Sequence, residues 1–291
     1  MQDAIRKASV LVEALPYIQR FRGQVVVVKL GGAAMDLEHG VASVLADVAL
    51  MEAVGMRPVV VHGGGPFISQ RMKDLGQKPT FVQGLRVTDS ETLEIAESVL
   101  IDLLNARLLE ELRAAGGKAV GIHPRGASCL LAHKMPPVNV NGQDVDLGFV
   151  GEIDAVAKEV ILALCREGVV PVIAPIALDR DGRTLNVNAD SAAAAIAAAI
   201  VAEKIVFMSD THGILRDPQD PESLVSTIHE NEVTEMVARG IITAGMIPKV
   251  QACLTALHGG VKKAHIVDGR IPHSLLLEVY TDAGIGTEIV A

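Results

Sequence analysis

Pro58-Val59-Val60-Val61-His62-Gly63-Gly64-Gly65-Pro66 is the stretch that decides the fold: a short apolar strand, closed by a glycine turn, with a helix to follow. Upstream, Val25 to Leu30 is a run of β-formers stopped by Gly31 and Gly32, and a helical stretch over residues 41–54 joins the two. Strand, glycine turn and helix in repetition mark right-handed crossover units, so the sequence predicts a parallel sheet. Composition agrees. Of 291 residues 49% are hydrophobic, yet only five are Phe, two Tyr and none Trp. Val, Ile, Leu and Ala must build the interior, as suits parallel strands under closely packed helices.

Working outward, residues 81–87 read as a short hairpin, 90–115 as a long helix and 118–122 as a strand. Prolines and short alternating pieces over 126–152 predict a small β excursion. The buried-strand pattern resumes at 170–175 and 204–208, with an alanine-rich helix at 191–202 between them. Helices at 232–239 and 248–257, a strand at 264–267 and a last edge at 286–290 complete the reading. A soft lobe boundary is expected near residues 179–182. Residues 4–22 form an amphipathic helix with Ile5, Val10, Leu15 and Ile18 on one side. Pro16 should kink it, since proline lacks the amide proton and clashes with the preceding turn. Whether it docks on another subunit or on its own domain stays open.

Charge and cysteine usage exclude several classes. A net charge of −9 with no basic stripe argues against a nucleic-acid partner. Cys129, Cys165 and Cys253 are odd in number and widely spaced, which fits neither a disulfide framework nor a metal site. No apolar run approaches the ~20 residues of a membrane span. Glu13 interrupts the N-terminal apolar stretch, and no cleavage site of a secretion signal follows. A reducing, cytoplasmic setting is the expectation.

Five clusters carry chemistry. Lys29-Leu30-Gly31-Gly32 sets a lysine at a strand end, where open α/β sheets bind ligands, with glycines that admit an anion to backbone amides. It lacks the spacing of a Walker A loop, and a tight turn with a solvated lysine is the plain alternative. Gly63, Gly64 and Gly65 ahead of a helix make an amide nest for a carboxylate or phosphate, while His62 is as readily structural as catalytic. Arg86, within Gly84-Leu85-Arg86-Val87-Thr88, could grip a carboxylate bidentately or be a surface cation. In Asn186-Val187-Asn188-Ala189-Asp190 the asparagines share one side of an extended segment, and Asp190 either caps the next helix or orients nearby lysines. Pro248 suits a first helical turn, which sets Lys249 beside a helix N-terminus that favours anions.

Taken in order, these elements and Asp268-Gly269-Arg270 resemble the amino acid kinase family, and most closely its members that phosphorylate N-acetyl-L-glutamate. The similarity runs from Val25 to Ile289. It implies an α/β fold, a three-layer αβα sandwich around a mainly parallel sheet. It implies an N-terminal oligomerisation helix (1–22), an amino-acid-substrate lobe (23–180) and a nucleotide lobe (181–291). By position, Lys29, Lys249 and Asp190 would be catalytic. Gly64, Gly65, Arg86, Asn186 and Asn188 would bind N-acetyl-L-glutamate. Gly31, Gly32, Asp210, Thr211, Gly213, Leu215, Ile241, Ile242 and Thr243 would bind ATP, with Mg²⁺ carried by the nucleotide.

The chain departs from the family pattern at His123-Pro124-Arg125-Gly126, on the acceptor side, and at Met208-Ser209-Asp210-Thr211-His212, on the nucleotide side. The N-terminal helix is similar to that of arginine-inhibited hexamers, built as trimers of dimers, and the match places Tyr17, Lys204, His265, Glu278 and Gly284 at an arginine site. The rival readings are a kinase for an aminoadipate derivative, a uridylate kinase on the same sheet, and a non-catalytic arginine or nucleotide sensor.

Overall fold

Val26, Val28, Leu30, Val60, Val206 and Met208 bury themselves on one face of the central sheet, while Val27, Val59, Val61, Ile205 and Phe207 do so on the other. A side-chain period of two with both faces apolar requires helices above and below, and the chain supplies them. The computed structural model describes residues 1–31, 35, 40–217, 219–243, 245–280 and 284–291.

In chain order, α1 (Gln2–Phe21) precedes β1 (Val25–Leu30), α2 (Gly40–Ala53), β2 (Arg57–His62) and α3 (Gly65–Asp74). The hairpin β3 (Phe81–Val82) and β4 (Leu85–Arg86) follows, then α4 (Ser90–Glu97). A π-helical stretch (Ser98–Asn105) continues α4 into α5 (Ala106–Ala114) and on to β5 (Ala119–Ile122). The β excursion comprises β6 (Leu130–Lys134), β7 (Val138–Val140), β8 (Gln143–Val145) and β9 (Val150–Val156). Next come α6 (Lys158–Arg166), β10 (Val170–Ile173), β11 (Ile176–Leu178), β12 (Thr184–Val187) and α7 (Ala189–Ala199). The rest is β13 (Lys204–Ser209), β14 (Thr227–His229), α8 (Glu230–Ala238), α9 (Ile247–His258), β15 (Lys263–Asp268), α10 (Ser274–Val279) and β16 (Thr287–Val290).

The main sheet runs β14-β16-β15-β13-β1-β2-β10-β5. Neighbours are parallel except β15 and β16. The predicted sandwich is therefore the observed fold. β1 lies between β2 and β13, so the strand order reverses direction beside it, and a crevice opens at the carboxyl ends of β1 and β13. β6, β9, β11 and β12 close a small barrel beside the sheet.

Several elements differ from the sequence reading. The alanine-rich helix starts at Ala189, earlier than expected, because Asn188 caps it. The long helix over 90–114 is continuous but π-helical in its middle. β16 is not the edge, since β14 pairs outside it. Residues 179–183, beside the expected lobe boundary and not in conflict with it, form the turn between antiparallel β11 and β12, tied by Arg183 Nε on Asp179 Oδ2 at 2.8 Å. As expected, α1 is one helix with Pro16 inside it; Ile5, Val10 and Leu15 are exposed and Ile18 is half-buried, while Phe21 at its end is buried. The three cysteines are buried and unbridged. Among the described residues, no helix is long and apolar enough to cross a membrane.

Candidate functional site

One carboxylate joins two lysines from distant parts of the chain. Asp190 Oδ1 stands 2.7 Å from Lys29 Nζ, and Asp190 Oδ2 accepts from Lys249 Nζ at 3.1 Å. β1 delivers Lys29 to the crevice, the first turn of α7 delivers Asp190, and the first turn of α9 delivers Lys249. Asp190 is free for this role because Asn188 Oδ1 takes the capping bonds, from Asp190 N at 2.9 Å and Ser191 N at 3.0 Å. The alternative of Asp190 as the cap is thus settled by its neighbour. The Lys29 contact is an ion pair between two nearly buried side chains.

Burial is the largest influence on Lys29, and it lowers the ammonium's pKa. The shared carboxylate opposes this, while Lys249 adds like-charge repulsion. Burial pushes the Asp190 carboxyl up, but the two lysines outweigh it and hold the group below the usual carboxylate range. With all three ionised, the trio keeps one net positive charge in a crevice sheltered from water. Such a group can neutralise an anion in transfer.

Lys29 and Asp190 line a cavity of about 200 Å³ together with Gly64, Gly65, Arg86, Asn186 and Asn188, so the structure gathers all the predicted acceptor-side residues. Gly64 is required by packing, since a Cβ there would stand 2.6 Å from Leu100 Cδ2 and 2.7 Å from Leu104 Cδ1. A Cβ on Gly65 would meet nothing within 4 Å. Arg86 is buried under the Phe81 ring, with its guanidinium carbon 4.7 Å from the centroid. Its Nη2 donates to Gly65 O at 2.9 Å and Ser69 Oγ at 2.7 Å. It has no carboxylate partner among the described residues, and burial lowers its pKa. This is a preset cation rather than an open fork, which the sequence did not reveal.

The two asparagines differ in what they offer. Asn186 Nδ2 bonds Thr88 Oγ1 at 3.3 Å, which leaves its carbonyl as an acceptor. Asn188 has its carbonyl occupied by α7, which leaves its amide protons as donors. His62 is structural. It is buried, with Nδ1 3.0 Å from Gly63 O and Nε2 3.1 Å from Asn105 Nδ2, and burial first of all pushes its pKa down to about 4.

A second cavity, of about 290 Å³, is lined by Asp210, Thr211, Gly213, Leu215, Ile241 and Thr243, the predicted nucleotide residues, and by His212 and Arg270. Asp210 acts on Lys29 through its charge, which links this cavity to the trio. Ile242 is the exception: its side chain is buried in the core. Gly31 sits at the end of β1, its N–H on Met208 O at 3.0 Å, where a Cβ would come within 2.7 Å of that oxygen. Gly32 lies outside the described residues. Sequence reading singled out Asp268-Gly269-Arg270 but gave Arg270 no role; it lines this cavity, and its Nε and Nη2 grip buried Asp268 at 2.9 and 2.7 Å.

A third cavity, of about 130 Å³, gathers Tyr17, Lys204, His265, Glu278 and Gly284, all five residues of the predicted arginine set. Glu278 Oε1 meets His265 Nδ1 at 2.5 Å, and Oε2 accepts from Ile285 N at 2.8 Å and Gly286 N at 3.0 Å. Burial raises the Glu278 carboxyl, but His265 and those amides hold it below its usual range. Lys204 Nζ lies 5.1 Å from the Phe21 ring centroid, and burial lowers its pKa.

Comparison with known proteins gives the family. The model of the amino acid kinase family matches residues 24–268. An acetylglutamate kinase of Symbiobacterium thermophilum is 51% identical, over 99% of both chains. Another, of Methanothrix thermoacetophila, is 49% identical over 98% of this chain and 99% of its own. Among solved structures, N-acetylglutamate synthase of Neisseria gonorrhoeae with coenzyme A and N-acetyl-glutamate superposes with a TM-score of 0.85 at 26% identity. The same synthase with coenzyme A and L-arginine gives 0.82 at 25%. The superpositions cover 98% and 97% of this chain but only 63% and 65% of the synthase chains. The chain belongs to the amino acid kinase family and, grouping there with the acetylglutamate kinases, is an ATP-dependent phosphotransferase.

Proposed function

We propose that the chain transfers the γ-phosphoryl group of ATP to the side-chain carboxylate of N-acetyl-L-glutamate, an early step of arginine biosynthesis, in the cytoplasm. The observation that carries this is the Lys29–Asp190–Lys249 trio: Lys29 and Asp190 line the first cavity, Lys249 joins them through Asp190, and the charge of Asp210 links the trio to the second cavity. A carboxylate acceptor is already ionised at neutral pH, so its attack on phosphorus needs no general base. It needs in-line positioning and neutralisation of the moving charge. In this reading the two ammonium groups meet the phosphoryl oxygens while Asp190 holds them in register. Mg²⁺ arrives on the nucleotide and supplies further charge neutralisation at the phosphates.

The first cavity suits an N-acetylated amino acid. Arg86 supplies a cation for the α-carboxylate, and Gly64 and Gly65 offer backbone amides to the reacting carboxylate. The free carbonyl of Asn186 and the free amide protons of Asn188 complement the N–H and C=O of an acetamido group. In this assignment residues 23–180 supply the acceptor lobe and 181–291 the nucleotide lobe, with the adenosine part near Gly213, Leu215 and Ile241.

Arginine regulation fits the third cavity, which holds carboxylates (Glu278, Glu288) and cations (Lys204, Lys263), a mixture suited to a zwitterion with a basic side chain. A hexamer joined through α1 fits the exposure of Ile5, Val10 and Leu15. Steady-state ADP release tests the main reading, with N-acetyl-L-glutamate and N-acetyl-aminoadipate compared. One methylene separates these acids by about 1–3 kcal/mol, so a kcat/KM ratio of at least about tenfold is expected. Absence of acceptor-dependent ADP release with N-acetyl-L-glutamate would end the assignment.

A further inference from the structure

The long helix behind the acceptor cavity is α-helical at both ends, but its π-helical stretch faces the triple glycine. Leu100 and Leu104 in that stretch leave no room for a side chain at residue 64. Asn105, its last residue, is buried and reaches two partners from one nitrogen: Nδ2 lies 2.9 Å from Val172 O and 3.1 Å from His62 Nε2. Gly121 is opposite, where any Cβ would collide with Asn105 Oδ1. π-helical turns recur at functional sites, so this one needs an account.

Counting protons supplies it. Val172 O can only accept, so it must face Nδ2 rather than the amide oxygen. The second proton of Nδ2 then falls on His62 Nε2, which is therefore an acceptor. The single proton of neutral His62 sits on Nδ1, 3.0 Å from Gly63 O. This bond holds the Gly63 carbonyl on the interior side. A trans peptide is planar, so the Gly64 N–H of the same unit points the opposite way, toward the cavity that Gly63, Gly64 and Gly65 line. Among the described residues no hydrogen bond engages that N–H.

We propose that Asn105 is a positioning residue of the acceptor site: it fixes the tautomer of His62 and so locks the Gly63–Gly64 peptide with the Gly64 N–H aimed at the acceptor. The inference rests on the acceptor reading above, and Asn105 acts through His62 without touching substrate. A residue that only pins the helix to β10 would affect stability without separating one substrate from the other.

Asn105→Ala should raise the KM for N-acetyl-L-glutamate about tenfold, the effect of one misdirected hydrogen bond, with the KM for ATP within about twofold. Asn105→Asp is the sharper variant. A carboxylate there favours a proton on Nε2 and raises the pKa of His62. While His62 is doubly protonated, Nδ1–H still serves Gly63, and acceptor KM stays near that of the unaltered protein. As pH rises through the raised pKa, the remaining proton stays on Nε2, Nδ1 turns its lone pair on Gly63 O, and acceptor KM climbs. The unaltered protein has no such limb. The charged or titratable neighbours of His62, Lys29 from β1 and His123 beyond β5, both hold its pKa down and are unchanged in the variant.

An acceptor KM that is unchanged in Asn105→Ala, and flat over about pH 6 to 9 in Asn105→Asp, overturns the proposal. Should neither variant fold, the ring-nitrogen NMR shifts of His62 in the unaltered protein decide. A neutral ring protonated on Nδ1 supports the lock, and a ring protonated on Nε2 or on both nitrogens refutes it. If N-acetyl-L-glutamate is not the acceptor, the unaltered protein itself shows no turnover with it, whereas the tautomer measurement still stands.

Discussion

Lys29 on β1 and Asp190 in the first turn of α7 form an ion pair of 2.7 Å, both side chains nearly excluded from solvent. A buried lysine is costly unless paired, and here the carboxylate that pairs with it among the described residues is shared with Lys249. The pair is thus undercompensated, which suits a site that receives a polyanion.

Lys29→Ala and Lys249→Ala should each lower kcat about a hundredfold, the loss of roughly 3 kcal/mol of barrier stabilisation, with smaller changes in either KM. Steady-state kinetics with both substrates varied is the check. Near-normal turnover in either variant would remove that lysine from the mechanism.

Activity should fall on the alkaline side as pH rises through the Lys29 pKa, which burial holds below the ordinary lysine value. Asp190 opposes that depression, so Asp190→Asn should move the limb to lower pH as well as slow the reaction. A kcat–pH profile with an unmoved limb would show that Lys29 is not the titrating group.

Arg86→Lys keeps the charge but loses the planar group that spans Gly65 O, Ser69 Oγ and the Phe81 ring. Acceptor KM should rise about thirtyfold, or about 2 kcal/mol, while ATP KM stays level. Equal effects on both substrates would point to a general loss of structure instead.

Glu278→Gln should abolish inhibition by arginine while leaving kcat in its absence near the unaltered value, because Glu278 lies in the third cavity and not in the trio's. Stability gives a second readout. The folded Glu278 pKa is depressed, so its contribution is present above the ordinary glutamate value near about 4.3 and lost as pH falls through the lower folded value. The variant should lack that part of the acid slope in denaturant melts. Unchanged arginine inhibition would move the inhibitor elsewhere.

Removing residues 1–15 takes away exposed Ile5, Val10 and Leu15 but spares Tyr17 and Phe21, which meet the Tyr280 ring edge-on at 6.5 and 6.4 Å. Light scattering should find dimers, and arginine inhibition should weaken. A truncated protein that stays hexameric would rule out assembly through α1.

Local pattern determined much of this protein. The valine runs of β1 and β2, stopped by glycines, and the alanines of α7 dictate buried strands, sharp turns and close helix packing, because those choices depend on neighbours in the chain. The candidate residues were legible too, but not their company or state. Only the strand order, with β1 beside β13, brings Lys29, Asp190 and Lys249 together. Only the completed first turn of α7 shows that Asn188 takes the cap and frees Asp190. The neutral form of His62, the π-helical turn behind Gly64 and the inward packing of Ile242 also follow from burial against distant segments. Backbone preference acts over a few residues, whereas charge state and hydrogen-bond partners are set by whatever the fold places within a few ångströms.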